Sequence, residues 1–173
     1  MANEQKTFLA KLSESWSTAF PSIKPAGEDE VHRRPKSCNF LCDAYGAIRN
    51  RYYFLQFNFS PKRRGEFTMT ITISASRKES ILPASEDLTP SPQSIGAFGI
   101  WQFMHRPRFD WSLVDLEAES TALLGLSSGL PKSRNVWQPS TYGQPLERVV
   151  DEAIAHVNKT LRTHVFPVLQ IEA

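Results

Sequence analysis

The sequence predicts an α+β fold in which an antiparallel sheet of four to five strands forms a meander and packs against an N-terminal helix and a long C-terminal helix. Three patterns predict it: a short amphipathic segment near the N-terminus, two neighbouring segments that alternate apolar with polar residues, and a long amphipathic segment at the end. The chain has 173 residues, of which 40% are hydrophobic and 22% charged, as in ordinary globular proteins. We therefore expect one α+β domain over residues 1–173.

The first expected element is a helix near the N-terminus. Phe8, Leu9, Leu12 and Trp16 recur at spacings of one, three and four residues, which places them on one face of a helix. Two prolines then predict the end of this helix. The stretch 21–37 that follows is interpreted as a loop leading into the first strand.

Residues 51–59 and 66–75 carry the clearest strand pattern. In 66–75 the apolar residues alternate with threonine and serine, and the polar loop SPKRRG joins the two segments, so they are predicted to form a hairpin. Segment 37–50 is expected to supply a third strand that turns near Gly46. In 51–59 one face would carry Tyr53, Leu55, Phe57 and Phe59, and the other Tyr52, Phe54, Gln56 and Asn58.

Two later apolar segments, 98–104 and 109–117, are predicted to extend the sheet. The final element is the strongest predicted helix, and Pro145 suits its first turn. Its apolar stripe requires a surface to cover, and the apolar face of the sheet is the expected one. The stripe consists of Leu146, Val149, Val150, Ala153, Ile154, Val157, Leu161 and Val165.

Positive charge is concentrated in one third of the chain. Residues 31–80 contain ten Lys/Arg against three Asp/Glu, a net charge of +7, whereas the whole chain carries only +2. Aromatic side chains that stack bases and cations that meet phosphates would make the hairpin region 49–64 a nucleic-acid-binding surface. The residues of this alternative are Tyr52, Phe54, Arg49, Arg51, Lys62, Arg63 and Arg64. The competing interpretation is that the charges solubilise a packed sheet.

The segment Gly125–Gly129 matches the G-x-S-x-G nucleophile elbow, with Ser127 as its serine. The elbow needs a helix immediately after the serine, and Pro131 interrupts any such helix, so a turn is the favoured interpretation. The pair Asp115 and Glu117 suggests a cation-dependent phosphodiesterase, but the nearest downstream basic residue is Lys132. We assign no catalytic residue and predict that the protein is not an enzyme.

No metal site or cofactor is predicted either. His156 and His164 lie eight residues apart on one helix, about 12 Å along its axis, which is too far for one ion. Cys38 and Cys42 lie in an expected strand about 13 Å apart, too far for a disulfide. Free thiols favour the cytoplasm, and no stretch is long and apolar enough to cross a membrane.

The order of these features resembles a bacterial family known only as a domain of unknown function, some members of which look like immunity proteins encoded beside polymorphic toxins. The resemblance rests on FLAKLSESW, YYFLQFNFS, EFTMTITIS and the closing HVFPVL, in that order. It implies a protein partner and no catalytic residue.

We therefore predict a non-enzymatic protein that binds and neutralises a partner, with the nucleic-acid-binding hairpin as the alternative. Large side chains that would anchor such a partner are Tyr52, Trp101, Trp137 and Tyr142, of which Trp101 is the first expected to prove part of the core. The oligomeric state is left open.

Overall fold

A computed structural model of the chain describes residues 3–25, 37–43, 51–77, 87–116 and 135–172. The predicted α+β fold, with an N-terminal and a C-terminal helix beside a sheet, is confirmed. No helix in these ranges is both long enough and apolar enough to span a membrane. The elements are, in chain order, α1 (Asn3–Ala19), β1 (Ile23–Pro25), β2 (Ser37–Asp43), β3 (Tyr52–Phe59), β4 (Glu66–Ser74), β5 (Gly96–Gly99), α2 (Ile100–Phe103), β6 (Phe109–Ser112), β7 (Asn135–Trp137), α3 (Leu146–Thr160), a π-helical turn (Leu161–Val165) and α4 (Phe166–Leu169).

The described strands form one sheet of seven, in the order β1-β2-β3-β4-β6-β7, with β5 also paired to β4. The predicted hairpin is confirmed, since β3 and β4 are antiparallel with Tyr52 opposite Ser74 and Phe59 opposite Phe67. The expected third strand is β2, which is also antiparallel to β3. The meander ends at β4, because β5 and β6 both pair with it and β6 runs parallel to β7.

The prediction of a loop throughout 21–37 is wrong at its start, where Ile23–Pro25 forms β1 against β2. Ile23 is buried, and its carbonyl accepts a hydrogen bond from the indole N–H of Trp16 at 3.0 Å. Burial and this bond order a three-residue edge strand, a position in which Pro25 is tolerated.

Two later predictions are also corrected. Residues 98–104 are not one strand, because β5 ends at Gly99 and α2 begins at Ile100. The strand predicted over 109–117 ends at Ser112, whose hydroxyl bonds both the N–H and the carbonyl of Val114 and turns the chain. Asp115 therefore lies beyond the strand.

The C-terminal helix has the predicted apolar stripe, and Val149 to Val165 of that stripe are buried. It is not α-helical throughout, since the N–H of Phe166 bonds the carbonyl of Leu161, five residues back. Pro167 explains this turn: proline has no N–H and its ring clashes with the carbonyl four residues earlier, so the helix widens just before it.

Both long helices pack on the same face of the sheet. Phe8 of α1 contacts Phe67 with ring centroids 4.6 Å apart, and Phe67 stacks on Trp111 of β6 at 5.7 Å. Between the helices, the Lys11 ammonium bonds the Asp151 carboxylate at 2.6 Å. The alternation of β3 and β4 therefore directs their apolar residues under two helices.

The opposite face of the sheet is unusual because it is largely polar and yet buried. Its buried members among the described side chains include the polar Gln56, Glu66, Thr72, Ser74, Asp110 and Ser112, together with the apolar Phe54 and Ala97. Buried polar groups are stable only when they are paired, so this face is where ligand or structural hydrogen bonds are concentrated.

Candidate functional site

A pocket of about 230 Å³ opens on the polar face, where the β3–β4 loop meets the start of β6. We call it the corner pocket. Its polar lining includes two arginines, two acids and two uncharged side chains: Arg63, Arg108, Glu66, Asp110, Asn58 and Thr68. The strand register explains this grouping, since Asn58 faces Thr68 across β3 and β4, and Glu66 faces Ser112, two residues after Asp110.

Arg63 is positioned by the β3–β4 loop. The hydroxyl of Ser60 accepts the backbone N–H of Arg63 at 3.1 Å, and the N–H of Ser60 donates to the carbonyl of Glu66 at 2.8 Å. Gly65 closes the loop with φ +66° while its carbonyl accepts the N–H of Leu113. The resulting loop places the Arg63 guanidinium 3.4 Å from the Glu66 carboxylate.

Arg108 is held from two sides. Its Nε donates to the Asp110 carboxylate at 3.4 Å, and its guanidinium carbon lies 5.8 Å from the centre of the Trp101 ring. Because Nε is the atom that contacts the acid, the two terminal nitrogens of the guanidinium remain available as a pair of donors. Trp101 is in turn packed on Gly99, where a Cβ would lie 2.2 Å from the indole.

The acidic and the basic side chains of the corner pocket differ in their exposure to solvent. The side chains of Glu66 and Asp110 are only 4% and 11% exposed, whereas those of Arg63 and Arg108 are 50% and 61% exposed. The acids therefore form the floor and the arginines the rim, and each acid has a rim arginine within reach. This arrangement orients two guanidinium groups toward solvent beside a recess.

The corner pocket also holds an unpaired hydroxyl. Thr68 Oγ1 is buried and has no hydrogen-bond partner within the described part of the chain. Its neighbour Asn58 instead donates to Thr70 at 3.0 Å. An unpaired buried hydroxyl costs about 1–3 kcal/mol, so a bound group that supplies the missing hydrogen bond would recover part of that cost.

The residues predicted for nucleic-acid binding lie at opposite ends of the hairpin. Tyr52 begins β3 and the loop cations follow its end at Phe59, so the two groups are about 24 Å apart along the strand. Arg49 lies outside the described residues. Arg51 is half-buried next to Tyr52, whose ring centre lies 5.9 Å from the guanidinium carbon of Arg77. Phe54 is fully buried, so its expected role in stacking bases is wrong.

Within the loop, the three predicted cations have different environments. Lys62 is exposed, and Arg63 lines the corner pocket. Arg64 forms an ion pair with Glu4 of α1 and thereby joins the loop to the first helix. The Arg64 guanidinium holds the pKa of the Glu4 carboxyl below its usual value. Only Arg63 of these three contributes to the corner pocket.

The predicted anchors Trp137 and Tyr142 are both half-buried. Trp137 stacks on His156 of α3 with ring centres 4.4 Å apart, on the helix-packed face. The hydroxyl of Tyr142 donates to the carbonyl of Ser112 at 3.3 Å, and burial raises the pKa of that hydroxyl. Trp101 is buried in the core, as expected, where it supports Arg108.

The loop that carries Tyr142 is fastened to α3 through Glu152. Its carboxylate accepts hydrogen bonds from the N–H and hydroxyl groups of both Ser140 and Thr141, at 2.7–3.1 Å. Burial raises the pKa of Glu152, but these bonds outweigh burial and the pKa lies below its usual value.

The catalytic alternatives are placed as follows. Gly125–Gly129 and Glu117 lie outside the described residues. Asp115 is half-exposed beyond the end of β6. Within the described ranges no three His, Cys, Asp or Glu side chains are grouped as metal ligands. Cys38 and Cys42 both lie in β2, as predicted, and His105 is an exposed turn residue.

Sequence reasoning missed Arg108, Asp110 and Thr68 as members of a site. Arg108 and Asp110 follow a proline in a segment interpreted as the start of a strand, and Thr68 belongs to a regular alternation. The only local signal was an acid in a strand, two residues after an arginine. No family model matches the chain, and neither the curated proteins nor the solved structures contain a match to it.

Proposed function

We propose that the protein acts by binding another protein through the corner pocket, and that it carries out no catalysis of its own. The observation that carries this proposal is Arg108, which Asp110 and Trp101 hold in place while its side chain stays 61% exposed. An ordered, exposed arginine loses little conformational entropy on binding, and arginine is among the residues most enriched in interface hot spots.

Arg63 supports the same proposal from across the corner pocket. Two oriented guanidinium groups at the rim favour a partner that presents negative charge there, since complementary charge sets the register of an interface and speeds association. The partner that the family resemblance suggests is a toxin, which this protein would neutralise by covering its active surface. The cytoplasmic location stays a prediction.

The test compares the affinity of three forms of the protein for its partner. The partner is isolated on the immobilised wild-type protein, identified, purified, and titrated calorimetrically against wild type, R63Q/R108Q and R106Q. Arg106 is exposed and does not line the corner pocket, so R106Q is the control for removing a positive charge outside the pocket. We expect the double variant to bind at least about tenfold more weakly, or 1.4 kcal/mol, and R106Q to bind within about twofold of wild type.

Equal affinities for wild type and R63Q/R108Q would place the interface elsewhere. Co-expression with the protein encoded by the adjacent gene tests whether the partner is a toxin. Wild type should rescue growth of the host cells, and the double variant should rescue it less.

Nucleic acid is the alternative partner. Retention of RNA or DNA at 50 mM salt that is lost at 200 mM would favour the hairpin alternative over a protein partner.

A further inference from the structure

We propose that the corner pocket recognises a carboxylate, namely the side chain of a glutamate or aspartate on the protein partner. This inference rests on the proposed function and adds the chemical group that is bound. In it, the terminal nitrogens of Arg108 and Arg63 donate to the carboxylate oxygens, and the hydroxyl of Thr68 donates a further hydrogen bond from the wall of the pocket.

The size of the pocket selects the class of ligand. At about 230 Å³ it is smaller than the roughly 300–1,000 Å³ of pockets that bury cofactors or drug-sized molecules. A single side chain fits such a recess. The occupant is therefore one group of a larger partner that docks on the surrounding surface.

The hydrogen-bond donors of the pocket favour a ligand whose atoms accept hydrogen bonds. Arg108 contacts Asp110 through Nε only, and Arg63 contacts Glu66 through one terminal nitrogen, both at 3.4 Å. Both contacts are longer than the 2.7–2.9 Å typical of strong charged hydrogen bonds. A planar carboxylate that receives the remaining guanidinium donors makes shorter, paired bonds, and this geometry distinguishes it from an amide or a hydroxyl.

Thr68 provides an independent observation that points to a ligand. Thr68 lines the pocket, and its Oγ1 is buried with no hydrogen-bond partner among the residues that the structure describes. Hydroxyl groups in such a position are ordinarily paired. A carboxylate oxygen that entered between the two arginines would supply the acceptor that this hydroxyl lacks.

The floor of the pocket limits the charge of the ligand. Among the described residues that line it, Glu66 and Asp110 balance the two arginines, so these four ionisable side chains sum to zero formal charge. A carboxylate brings one negative charge close to two nearly buried acids, whereas a phosphate dianion brings two. The site therefore discriminates against a free phosphate dianion.

The experiment uses peptides in place of the unidentified partner. The ¹⁵N-labelled protein is titrated with acetyl-Gly-Glu-Gly-amide, with the matched acetyl-Gly-Gln-Gly-amide, with acetate and with inorganic phosphate, while the amide of Thr68 and the Nε–H groups of Arg63 and Arg108 are followed by NMR. We expect saturable shifts with the glutamate peptide in the millimolar range. The glutamine peptide and phosphate should bind at least about tenfold more weakly.

Four variants separate binding from folding. R63Q and R108Q should each weaken binding of the glutamate peptide about tenfold or more. T68V keeps the shape of the side chain and should weaken binding about threefold, whereas R106Q should have no effect. Superimposable amide spectra outside the pocket show that each variant is folded. If T68V unfolds, T68S, which keeps the hydroxyl, takes its place and should bind like wild type.

Failure of the glutamate peptide to bind, or equal binding of the glutamine peptide or of phosphate, would overturn this inference. Acetate carries the same group and should displace the glutamate peptide from the pocket, and a lack of competition between the two would equally overturn the assignment of the carboxylate to the pocket. Neither result bears on the proposed function, because that proposal is tested by whether R63Q/R108Q binds the intact partner more weakly than wild type does. Conversely, peptide binding with no effect of that variant on the partner would retain the carboxylate site and remove the proposed function.

Discussion

The indole N–H of Trp111 donates a hydrogen bond of 3.0 Å to Nδ1 of His156. An imidazole that accepts at Nδ1 must be neutral, with its proton on Nε2, because the imidazolium has no acceptor. Burial lowers the pKa of His156, the positive charge of Lys159 lowers it further, and Glu152 opposes both. The link between β6 and α3 thus depends on an uncharged histidine.

This dependence predicts a loss of stability in mild acid. Because the pKa is lower in the folded than in the unfolded chain, the unfolded state takes up the proton first as pH falls through the ordinary value of 6.5. The stabilising contribution of His156 is therefore complete above that pH and decreases as pH falls toward the folded pKa. Urea unfolding should show a larger drop between pH 7.5 and 5.5 for wild type than for H156Q, and equal drops would contradict the assignment.

The ion pair of Glu4 with Arg64 predicts a second, more acidic transition. The pKa of Glu4 is depressed in the folded state, so its contribution to stability is present above the ordinary value of 4.5 and is lost as pH falls through the folded pKa. The variant E4Q should show a shallower loss of unfolding free energy between pH 5 and 3 than wild type. R64Q should cost about 1 kcal/mol at pH 7, since Arg64 is largely exposed and the pair is partly screened.

Gly99 is predicted to control the position of Trp101. A Cβ at this position would lie 2.2 Å from the indole, so the ring must move in G99A. We expect a cost of about 1–3 kcal/mol in unfolding free energy and a changed near-ultraviolet circular dichroism spectrum. In a W101A background the same substitution should cost much less. Equal costs in the two backgrounds would show that the ring is not the obstacle.

Gly65 should tolerate alanine poorly for two reasons. Its φ of +66° is disfavoured for residues with a Cβ by about 1–2 kcal/mol, and that atom would lie 3.0 Å from Val114 Cγ1. Gly143 is the matched control, since its φ is +85° but no atom lies within 4 Å of the added Cβ. Thermal unfolding should rank G65A below G143A, and the reverse order would exclude the contact with Val114.

Periodicity alone predicted the elements whose burial pattern is strongly regular. The stripe of α3 and the alternation of β4 have apolar residues at fixed intervals, and both elements form where expected. The strand predicted over 98–104 was wrong because a short, mostly apolar run has no period that separates strand from helix. In the structure β5 ends at Gly99 and α2 begins at Ile100, with the Trp101 ring packed against Gly99.

The site was less predictable than the fold. Of the predicted binding residues that the structure describes, only Arg63 lines the corner pocket. Its companions are Thr68 of β4, Asp110 of β6 and Arg108, which directly precedes β6. Sequence proximity grouped Tyr52 with the loop cations, but an extended strand of eight residues separates them. Side chains meet across a sheet according to register, and register depends on pairings between segments far apart in the chain.

The amino-acid sequence by itself determined that this chain forms α+β structure, where its hairpin lies and which side of its last helix is buried, because helix and strand periods are local properties of neighbouring residues. Only the tertiary structure decided that two arginines are held over two buried acids at one corner of the sheet, and that Arg64 belongs to a helix contact instead. The reason is that pairing of charges depends on distances between segments, which the pattern within any one segment does not contain.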